Sequence, residues 1–549
     1  MSENESPDES NERDVSRRSY MQLLGAVGLG TGVQATMSGN DVAAAAPDGE
    51  GAAHGITVSD SGTDVSDGIT RLDFEGSLSP AVQDGDTNSV QVQSATNPNV
   101  VNVRVDLGVR PRQDDLWAAI RRHYNSFSPA NRNHLYVVPA ETWFVRSNNL
   151  DLPSHRFFGL VGEPTATLRV NDQNVDRMMT VGRINTSAGQ AQRTVMRDLR
   201  IDITGDYDSG IGRWYTHGCG RIENIRLVGQ RNRGAAYGGD LHTIMIDGRT
   251  PETTNIIRNV HLNDGDTYHG REGPYALAFS SEVNNVGVNI WEGCQVSGFK
   301  TSAFYASSNS GRNIYQGCHA RNCGGGCFRL GADDYMYNCR ITMDEHPGRA
   351  WSGLWLQLGS GQVVNGLRVH NEVEKDTEIV RLTQDGSARI SNMHIVDEGT
   401  DGRAIRVSDD DNSRTVFEGC SLIDRSSPTI SDYPIYVRSS NVTFKDCEYD
   451  IDPQSNVDRH GIFVSRQGTN VDRLSLDHCE IDTDGASLRF GESGREHNIT
   501  NSFFEGIVMS DSRTTLQNVL WVGNRHRAQT IFNGQRTNWQ GDFNFGYSV

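Results

Sequence analysis

Residues 291–296, with the sequence WEGCQV, set the pattern on which the fold of this chain depends. The pattern is an apolar residue, any residue, Asn, Gly or Asp, an apolar residue or Cys, any residue, and an apolar residue. It recurs as YQGCHA (315–320), MYNCRI (336–341), VNGLRV (364–369), ISNMHI (390–395), FEGCSL (417–422), FKDCEY (444–449) and LDHCEI (476–481). The central residues of neighbouring copies are 21 to 27 positions apart in most cases, as in Cys318 to Cys339 and Met393 to Cys420. This repetition predicts a solenoid in which one copy corresponds to one turn.

Each copy alternates apolar and polar residues with a period of two, which is typical of a half-buried strand. A second alternating run follows after roughly 9 to 15 residues, as in GLWLQL (353–358) and PIYV (434–437). Two or three strands per turn, joined by Gly, Asn and Asp, predict an all-β parallel β-helix. Leucine-rich repeats share the period, but this chain lacks their fixed Leu spacing and their helical half.

Six of the nine cysteines occupy the same position of the motif, namely Cys294, Cys318, Cys339, Cys420, Cys447 and Cys479. Equivalent positions stack on neighbouring turns, and free Cys behaves as a small buried apolar residue. We therefore expect an interior ladder of thiols rather than a disulfide scaffold. Cys323 and Cys327 lie in a Gly-rich loop, and a bond between these two remains open at this stage.

The first 46 residues have the layout of an export signal. An acidic leader precedes SRRSYM (16–21), which is followed by a Gly-rich apolar stretch and an Ala run at 43–46. This order resembles a twin-arginine signal and predicts a secreted or extracellular protein. Residues 47–69 are rich in Gly, Ser and Asp and are predicted to be a flexible linker, residues 70–110 to contain early strands of unclear role, and residues 111–549 to form the β-helix.

The net charge of −19 restricts the environments and partners that are expected for the protein. Only Lys300, Lys375 and Lys445 are lysines, so 48 of the 51 basic residues are Arg. Acid excess combined with Arg in place of Lys resembles haloarchaeal proteins, although codon bias from a high GC content would also favour Arg. No basic patch offsets the acidity, which argues against a nucleic-acid partner. No apolar run beyond the signal reaches the length of a membrane span.

The start of the predicted coil carries a resemblance to a known family. Asp114 and Asp115 precede a helical apolar face made by Leu116, Ala119, Ile120 and Tyr124, and the segments LYVVPAETW (135–143) and HRFFGLVG (155–162) follow. This order is similar to the pectate-lyase-like superfamily of right-handed parallel β-helix proteins, from which the chain departs at Leu116 and Glu141. The resemblance implies a right-handed coil whose open end is capped by the helix.

The resemblance also implies a protein that acts on or binds a polysaccharide, most often an acidic one. Members include calcium-dependent lyases, glycoside hydrolases, epimerases, viral tailspikes and non-catalytic surface proteins. The motifs define architecture better than activity, because function depends on the site and not on the fold. The chain has neither the Asn-Thr-Asp nor the Gly-His-Gly motif of the polygalacturonase-type hydrolases.

Loops of successive turns form one wall, and the longest insertion lies between Val260 and Cys294. For a polysaccharide lyase, the favoured hypothesis, calcium would be held by carboxylate oxygens and would stabilise the charge that develops on the substrate. The predicted ligands are Asp264, Asp266, Asp206 and Asp344, and the predicted bases are Arg271, Lys300 and His269. In the Asp-Gly-Asp sequence, ordinary turn chemistry is an alternative to a metal site.

For a hydrolase, two carboxyl groups are required, and Asp333 and Asp334 with Asp264 or Asp266 are the predicted pair. Contacts to an acidic polysaccharide are expected from Tyr268, Arg233, Arg321, Arg349 and Trp351, and Trp355 and Trp214 are further candidates for stacking on sugars. A non-catalytic coil for glycan binding or surface assembly is the alternative from a different functional class. The sequence does not define an oligomeric state.

Overall fold

The computed structural model divides the chain into two compact units, residues 1–99 and 100–549. It describes five strands between residues 34 and 94, and then residues 98–541 with gaps. The gaps are residues 185–189, 206–208, 232–241, 267–276, 283, 307–310, 349–350, 358, 375–377, 384–386, 400–401, 409–413, 428–432, 453–458 and 529. Among the described residues, no helix is long and apolar enough to span a membrane.

The first unit contains an antiparallel sheet with the strand order β3-β2-β1-β5-β4. Its strands are β1 (Gln34–Thr36), β2 (Ile56–Asp60), β3 (Thr63–Ile69), β4 (Leu78–Val82) and β5 (Ser89–Ser94). Strands β2 and β3 lie in the segment that was predicted to be a flexible linker, and that domain boundary stays a prediction. Strand β1 lies within the predicted export signal, which stays a prediction.

The second unit begins before residue 111, where the coil was predicted to start. Strand β6 (Asn99–Asn102) leads into Val103, whose N–H donates to the carbonyl of Val137 at 3.1 Å. Val101, Val103 and Val109 are buried in the core. The β-helix therefore includes part of the segment 70–110.

The coil of the second unit is a right-handed parallel β-helix, as the repeats and the family resemblance predict. Its strands pair in parallel between successive turns and form three sheets. The first sheet contains β7 (Asn133–Val138), β10 (Phe157–Gly162), β13 (Ala191–Asp202), β14 (Gly210–Val228), β16 (Thr254–Arg258), β19 (Val288–Glu292), β22 (Arg312–Gln316), β25 (Tyr335–Tyr337), β28 (Gln362–Asn365), β31 (Ala388–Ser391), β34 (Thr415–Glu418), β37 (Val442–Lys445), β40 (Ser475–Asp477), β44 (Asn498–Thr500) and β48 (Leu520–Val522).

The second sheet follows the first after a short turn. It contains β8 (Thr142–Val145), β11 (Thr167–Val170), the later parts of β13 and β14, β17 (His261–Leu262), β20 (Gln295–Ser297), β23 (His319–Arg321), β26 (Arg340–Met343), β29 (Arg368–Asn371), β32 (His394–Asp397), β35 (Ser421–Asp424), β38 (Glu448–Ile451), β41 (Glu480–Thr483), β45 (Phe503–Phe504) and β49 (Arg525–His526).

The third sheet completes each turn. It contains β9 (Leu150–Leu152), β12 (Arg177–Val181), the first part of β14, β15 (His242–Gly248), β18 (Leu277–Ser280), β21 (Phe304–Tyr305), β24 (Gly325–Leu330), β27 (Trp351–Leu356), β30 (Glu378–Leu382), β33 (Arg403–Val407), β36 (Ile435–Val437), β39 (Ile462–Val464), β42 (Ala486–Phe490), β46 (Ile507–Ser510) and β50 (Thr530–Phe532). A short additional sheet near the C-terminus pairs β43 (Gly494–Arg495), β47 (Thr515–Gln517) and β51 (Gln535–Thr537).

The recurring motif is explained by the turn between the first and second sheets. Its third residue has a positive φ, with values of 51° at Asn259, 60° at Gly293 and 52° at Asn338. Gly and Asn tolerate this left-handed conformation better than other residues. On the outside, the Nδ2 of Asn259 donates to Asn224 Oδ1 at 2.8 Å, so the turns are linked by a ladder of amides.

The fourth motif residue and the flanking apolar residues fill the interior. Ile257, Trp291, Tyr315 and Met336 stack in register on successive turns and are buried. The cysteine ladder is confirmed, since all nine cysteines are free and all except Cys219 are buried. Cys323 and Cys327, for which a bond was left open, are therefore not paired.

A capping helix covers the start of the coil, as the sequence predicts. Helix α1 (Leu116–Asn125) begins after Asp115, whose side chain accepts the N–H of Trp117, and a short 3-10 turn (Pro129–Asn131) follows. Leu116, Trp117, Ala119, Ile120 and Tyr124 are its buried residues. The helix prevents the first turn from offering an unpaired edge to another chain.

Candidate functional site

The third sheet is the face on which the connecting loops vary most. The first and second sheets are joined by tight turns, as between Arg258 and His261. In contrast, β17 ends at Leu262 and β18 begins only at Leu277. Variable loops on a rigid scaffold are where binding and catalytic residues concentrate. The outer face of the third sheet is therefore the candidate location of a binding site.

A continuous row of aromatic and arginine side chains runs along this face, and we call it the arginine–aromatic stripe. Its members are register partners on successive turns: Tyr305, Arg329, Trp355, Arg381, Arg406, Tyr436, Phe463 and Arg489. Their neighbours along each strand, such as Leu354 and Leu356, are buried, so the stripe residues point away from the core. With neighbouring strands about 4.8 Å apart, the row is roughly 34 Å long.

The first half of the stripe is a stack of rings and guanidinium groups. The guanidinium of Arg329 lies 4.1 Å from the ring centre of Trp355 and 4.8 Å from that of Tyr305. Arg381 covers Trp355 from the next turn at 4.6 Å. The indole N–H of Trp355 donates to Thr383 Oγ1 at 2.8 Å, which fixes the ring. These cation–π contacts hold the charged groups in a defined orientation.

One buried carboxylate organises the centre of the stripe. Glu378, with a side chain that is 8% exposed, binds Arg406 at 3.0 Å and lies within 4.0 Å of Arg381 and Arg403. The guanidinium of Arg403 also covers the ring of Tyr436 at 4.5 Å. Three guanidinium groups around one carboxylate leave a local positive charge on an otherwise acidic protein.

The second half of the stripe ends in stacked aromatic rings. Phe463 lies between Tyr436 and Tyr433, with ring centres 5.4 Å and 4.3 Å away. Tyr433 also stacks on His460 at 4.7 Å. Arg489 binds Asp511 through two nitrogens and approaches the ring of Phe463. Half-buried rings of this kind offer flat apolar faces beside fixed hydrogen-bond donors.

A pair of acidic residues lies on the same face, on the turns that precede the stripe. The row of register partners continues from Tyr305 to Ser280 and Met245, which are both buried. Asp247 and Glu282 each lie two residues beyond this row, on neighbouring turns. The Oδ1 of Asp247 accepts the backbone N–H of Glu282 at 2.9 Å.

The two carboxyl groups have different environments. Asp247 is completely buried, and its Oδ2 has no hydrogen-bond partner among the described residues. The Glu282 side chain is 32% exposed and approaches His242 Nε2 at 3.1 Å, while His242 Nδ1 is 2.8 Å from Ser280 Oγ. Burial raises the pKa of Asp247 to about 7, and the nearby charge of Glu282 raises it too, whereas Arg249 and Arg213 lower it.

Of the residues predicted from the sequence to bind calcium, Asp264 and Asp266 are engaged in the turns of the chain. Asp264 Oδ2 accepts the N–H of Gly229 at 2.6 Å, and Asp266, which is buried, accepts the N–H of Lys300 at 2.9 Å. Both bonds join neighbouring turns of the coil. Lys300, a predicted base, therefore contacts Asp266 through its backbone.

The predicted metal ligand Asp344 and the predicted substrate-binding residue Arg321 bind each other. Arg321 donates to both carboxylate oxygens of Asp344, at 3.1 and 2.6 Å, and Asn322 Nδ2 donates to it at 2.7 Å. The Arg321 guanidinium lowers the pKa of Asp344. An ion pair of this kind satisfies Asp344 without a metal.

Asp333 and Asp334, which were predicted to form a hydrolytic pair with Asp264 or Asp266, lie directly before strand β25 of the first sheet. Asp333 has a φ of 54° at the turn. Asp334 is completely buried and accepts three N–H groups, two from Asn313 and one from Gly331, which favour the charged form, although burial raises its pKa to about 7. The side-chain amides of Asn313, Asn289 and Asn255 lie on successive turns and are hydrogen-bonded to one another. Asp334 lies at the end of this buried ladder of amides.

Trp351 and Trp214, which were predicted to stack on sugars, are buried in the core, and Trp351 donates to the carbonyl of Glu374 at 3.0 Å. They face inward because they alternate with the outward residues of their strands. The remaining predicted residues lie outside the described residues: Asp206, Arg233, Tyr268, His269, Arg271 and Arg349.

The described carboxylates predicted to bind calcium, namely Asp264, Asp266 and Asp344, each accept N–H groups or an arginine of this chain. The calcium site stays a prediction. One other described group has spacing suited to a metal, His370 with Glu372 and Glu398, whose ligand atoms lie within 4.8 Å of one another. It lies on the second sheet, where His370 Nε2 is 3.1 Å from Glu398 and an ion pair accounts for the arrangement.

These features define the chain as a parallel β-helix protein with a candidate ligand-binding face on its third sheet. No protein-family model matches the chain, and no curated protein is significantly similar to it. Among solved structures, the surface adhesin PfbA of Streptococcus pneumoniae is similar, with 13% identity, coverage of 81% of this chain and 99% of that chain, and a TM-score of 0.35.

Two carbohydrate-active enzymes are also among the similar structures. A GH87 alpha-1,3-glucanase from Streptomyces thermodiastaticus has 10% identity, with coverage of 84% of this chain and 74% of that chain and a TM-score of 0.36. A family 28 exopolygalacturonase of Yersinia enterocolitica has 10% identity, with coverage of 84% and 80% and a TM-score of 0.30. At these values the similarities carry no argument about function, and the assignment of the fold depends on the strand register.

Two residues of this face, Glu282 and Trp355, lie in segments that the sequence had already indicated as candidates for function. The overlong turn between Val260 and Cys294 was singled out, and it contains Glu282. Trp355 was a candidate for sugar stacking and lies in the stripe. The partners of these residues come from other turns, and their alignment requires the exact register of strands that are 24 to 30 residues apart.

Proposed function

We propose that this chain is a carbohydrate-active β-helix protein that binds an acidic polysaccharide along the arginine–aromatic stripe. The observation that carries the proposal is the unbroken register from Tyr305 to Arg489 on the outer face of the third sheet, where these side chains are half-buried. A regular row of binding groups about 34 Å long suits a linear polymer better than a small compact ligand.

The chemistry of the stripe matches a polymer of acidic sugars. Sugar rings have apolar faces that pack on aromatic rings, and the stripe offers Trp355, Tyr436 and Phe463. Guanidinium groups bind carboxylates through two parallel hydrogen bonds, and Arg329 and Arg381 stand on either side of Trp355. Because these arginines are held by the rings, little side-chain entropy is lost on binding.

Binding measurements with stripe variants test this proposal. We expect immobilised polygalacturonate, alginate or hyaluronan to bind the protein, with neutral dextran as the control ligand. Trp355→Ala and Arg329→Gln should each weaken binding at least about tenfold, which corresponds to about 1.4 kcal/mol. Arg258→Gln is the matched control, since Arg258 pairs with Glu292 on the first sheet. Equal binding of dextran, or full binding by both stripe variants, would refute the proposal.

The proposal includes the cellular setting predicted from the sequence. The Arg17-Arg18 signal supports export by twin-arginine translocation, and the acid excess supports a haloarchaeal origin. Replacement of both arginines by Lys should leave the precursor in the cytoplasm of the producing cell. Normal secretion of that variant would contradict the export signal.

A calcium-dependent lyase mechanism receives no support from the described residues. The carboxylates predicted to hold the ion are bonded within the chain, and Arg271 and His269 lie outside the described residues. Binding along the stripe does not require catalysis, so a non-catalytic glycan-binding protein accounts for the stripe equally well.

A further inference from the structure

We infer that the outer face of the second sheet is an interface through which two copies of this chain associate, antiparallel to each other and related by a two-fold axis. The inference goes beyond the proposed function and does not depend on it, because the arginine–aromatic stripe lies on the third sheet. It rests on the distribution of charge along one outward row of the second sheet, which we call the charged row.

The charged row changes sign halfway along its length. Its members are register partners on successive turns, in the order Arg340, Arg368, His394, Ser421, Glu448 and Glu480. The two arginines and the two glutamates are exposed, and the residue that follows each of them is buried. The row therefore has a basic half and an acidic half, which are separated by the neutral pair His394 and Ser421.

The four charged side chains of the row have no partner within the described part of the chain. None of them forms an ion pair or a side-chain hydrogen bond there. The adjoining outward row differs, since Arg321 binds Asp344 and Asp450 binds Arg425. The charges of the charged row are thus available for contacts with another molecule.

The spacing of the charges is symmetric about the middle of the row. Neighbouring turns are about 4.8 Å apart, so Arg368 and Glu448 each lie about 7 Å from the point midway between His394 and Ser421. Arg340 and Glu480 each lie about 12 Å from the same point. A two-fold axis through this point places Arg368 of one copy opposite Glu448 of the second copy. It also places Arg340 opposite Glu480, and each contact occurs twice.

The middle of the face is apolar beside the charged row. Val396 and Ile423 are register partners, lie on the same two turns as His394 and Ser421, and point outward, where they are half-buried. The two-fold axis would bring these side chains close to their equivalents in the second copy. An apolar centre surrounded by charged and polar groups is common in protein interfaces.

A second copy fits this face better than an acidic polymer does. The polymer would be attracted by the basic half and repelled by Glu448 and Glu480, whereas a second copy is complementary to both halves. The net charge of −19 opposes association of two copies. However, the Debye length is about 8 Å at 0.15 M ionic strength, so distant repulsion is largely screened, and charges in direct contact are screened less.

Sedimentation velocity with charge-reversal variants of the full chain tests the inference. We expect the wild type to dimerise in about 0.15 M KCl and the dimer to weaken in about 1 M KCl. Arg368→Glu and Glu448→Arg should each weaken the dimer at least about tenfold, because like charges then meet at two places. An equimolar mixture of the two variants should dimerise as the wild type does, since all the contacts become attractive again.

Arg226→Glu is the matched control. Arg226 is exposed and belongs to the same register series, but it lies farther from the two-fold axis than the last described turn on the other side. Its reversal changes the net charge equally and should leave the dimer intact. Thermal unfolding checks that each variant folds. Arg340→Glu with Glu480→Arg provides the same test if either variant of the first pair does not.

The outcomes that would overturn the inference are distinct. A wild type that remains monomeric in 0.15 M KCl would refute it, and loss of polygalacturonate binding in Arg368→Glu would then assign the basic half to the polymer. A dimer that is unaffected by both reversals would place the interface elsewhere. Failure of the mixture to dimerise would exclude the two-fold arrangement. None of these results changes the proposed function, which is tested by Trp355→Ala and Arg329→Gln.

Discussion

At the scale of single residues, the repeat is explained by one backbone conformation. The third motif residue has a positive φ, and the residue after it enters the core. Gly293 and Asn338 occupy this place on different turns, which explains why the motif accepts Asn, Gly or Asp. The side chain matters for tolerance of the left-handed conformation and for the outer amide ladder.

Gly293 offers a direct test of this explanation, because an added Cβ would have no atom within 4 Å. Any cost of Gly293→Ala must therefore come from the backbone, and we expect about 1 kcal/mol. Gly293→Asn should cost less, since Asn occupies the same position on other turns. The midpoint of urea unfolding measures both variants. Equal destabilisation by Ala and Asn would contradict the backbone explanation.

At the scale of elements, the sequence was sufficient to predict the strands, the turns and the capping helix. These depend on local alternation and on an N-cap, which can be recognised in short segments. The stripe was not predicted, because Arg329, Trp355 and Arg381 meet only through the register of three turns. The partners of Asp264 and Asp344, which are Gly229 and Arg321, were not predicted because they lie 35 and 23 residues away in the chain. The assignment of Asp264 and Asp344 as calcium ligands stays a prediction.

The first turns and their capping helix contain a buried histidine with consequences for acid stability. His155 contacts Thr194 Oγ1 at 3.0 Å and Tyr124 at 3.4 Å, and burial, together with Arg132, lowers its pKa to about 3. Between pH 6.5 and about 3 the unfolded chain binds a proton at this residue and the folded chain does not. Above pH 6.5 the burial of neutral His155 therefore has no protonation cost, and the free energy of unfolding falls as the pH decreases below 6.5.

We expect His155→Gln to reduce the loss of stability on acidification. Gln keeps a hydrogen-bonding side chain but does not titrate, so the fall in the free energy of unfolding from pH 7 to pH 4.5 should be smaller by roughly 2–3 kcal/mol. Urea unfolding at the two pH values measures this difference. The exposed His346→Gln is the control and should behave like the wild type. An unchanged pH dependence in His155→Gln would show that other groups govern acid unfolding.

At the scale of the whole molecule, the acidic charge and the positive stripe have opposite roles. The chain carries 70 acidic and 51 basic residues, and its net charge of −19 repels an acidic polymer at low salt. In concentrated salt this long-range repulsion is screened, since the Debye length is about 3 Å at 1 M. Direct contacts between arginines, rings and sugars then determine binding. A stripe that combines stacking with fixed guanidinium groups is suited to such conditions.

Repulsion between acidic side chains also affects the stability of the fold. One row of acidic residues on the outer face of the second sheet is an example. Asp450 and Asp482 are register partners on the second sheet, and Glu505 lies on the next turn. Arg425 pairs with Asp450 and Arg527 with Glu505, at the two ends of the row. Burial and the charges of Glu505 and Asp450 raise the pKa of Asp482 in the middle. The charged form of Asp482 is therefore disfavoured in the folded protein.

We expect Asp482→Asn to raise the thermal midpoint slightly at 0.1 M KCl, because removal of like-charge repulsion between neighbouring side chains is worth roughly 0.3–0.5 kcal/mol. At 2 M KCl the gain should disappear, since salt already screens the repulsion in the wild type. Asp472→Asn is the matched control: Asp472 pairs with Arg495 at 3.1 Å, so its loss should destabilise at low salt. A gain from Asp482→Asn that is equal at both salt concentrations would show that repulsion is not its cause. Stabilisation of the wild type by salt would then need an explanation other than screening of the acidic surface.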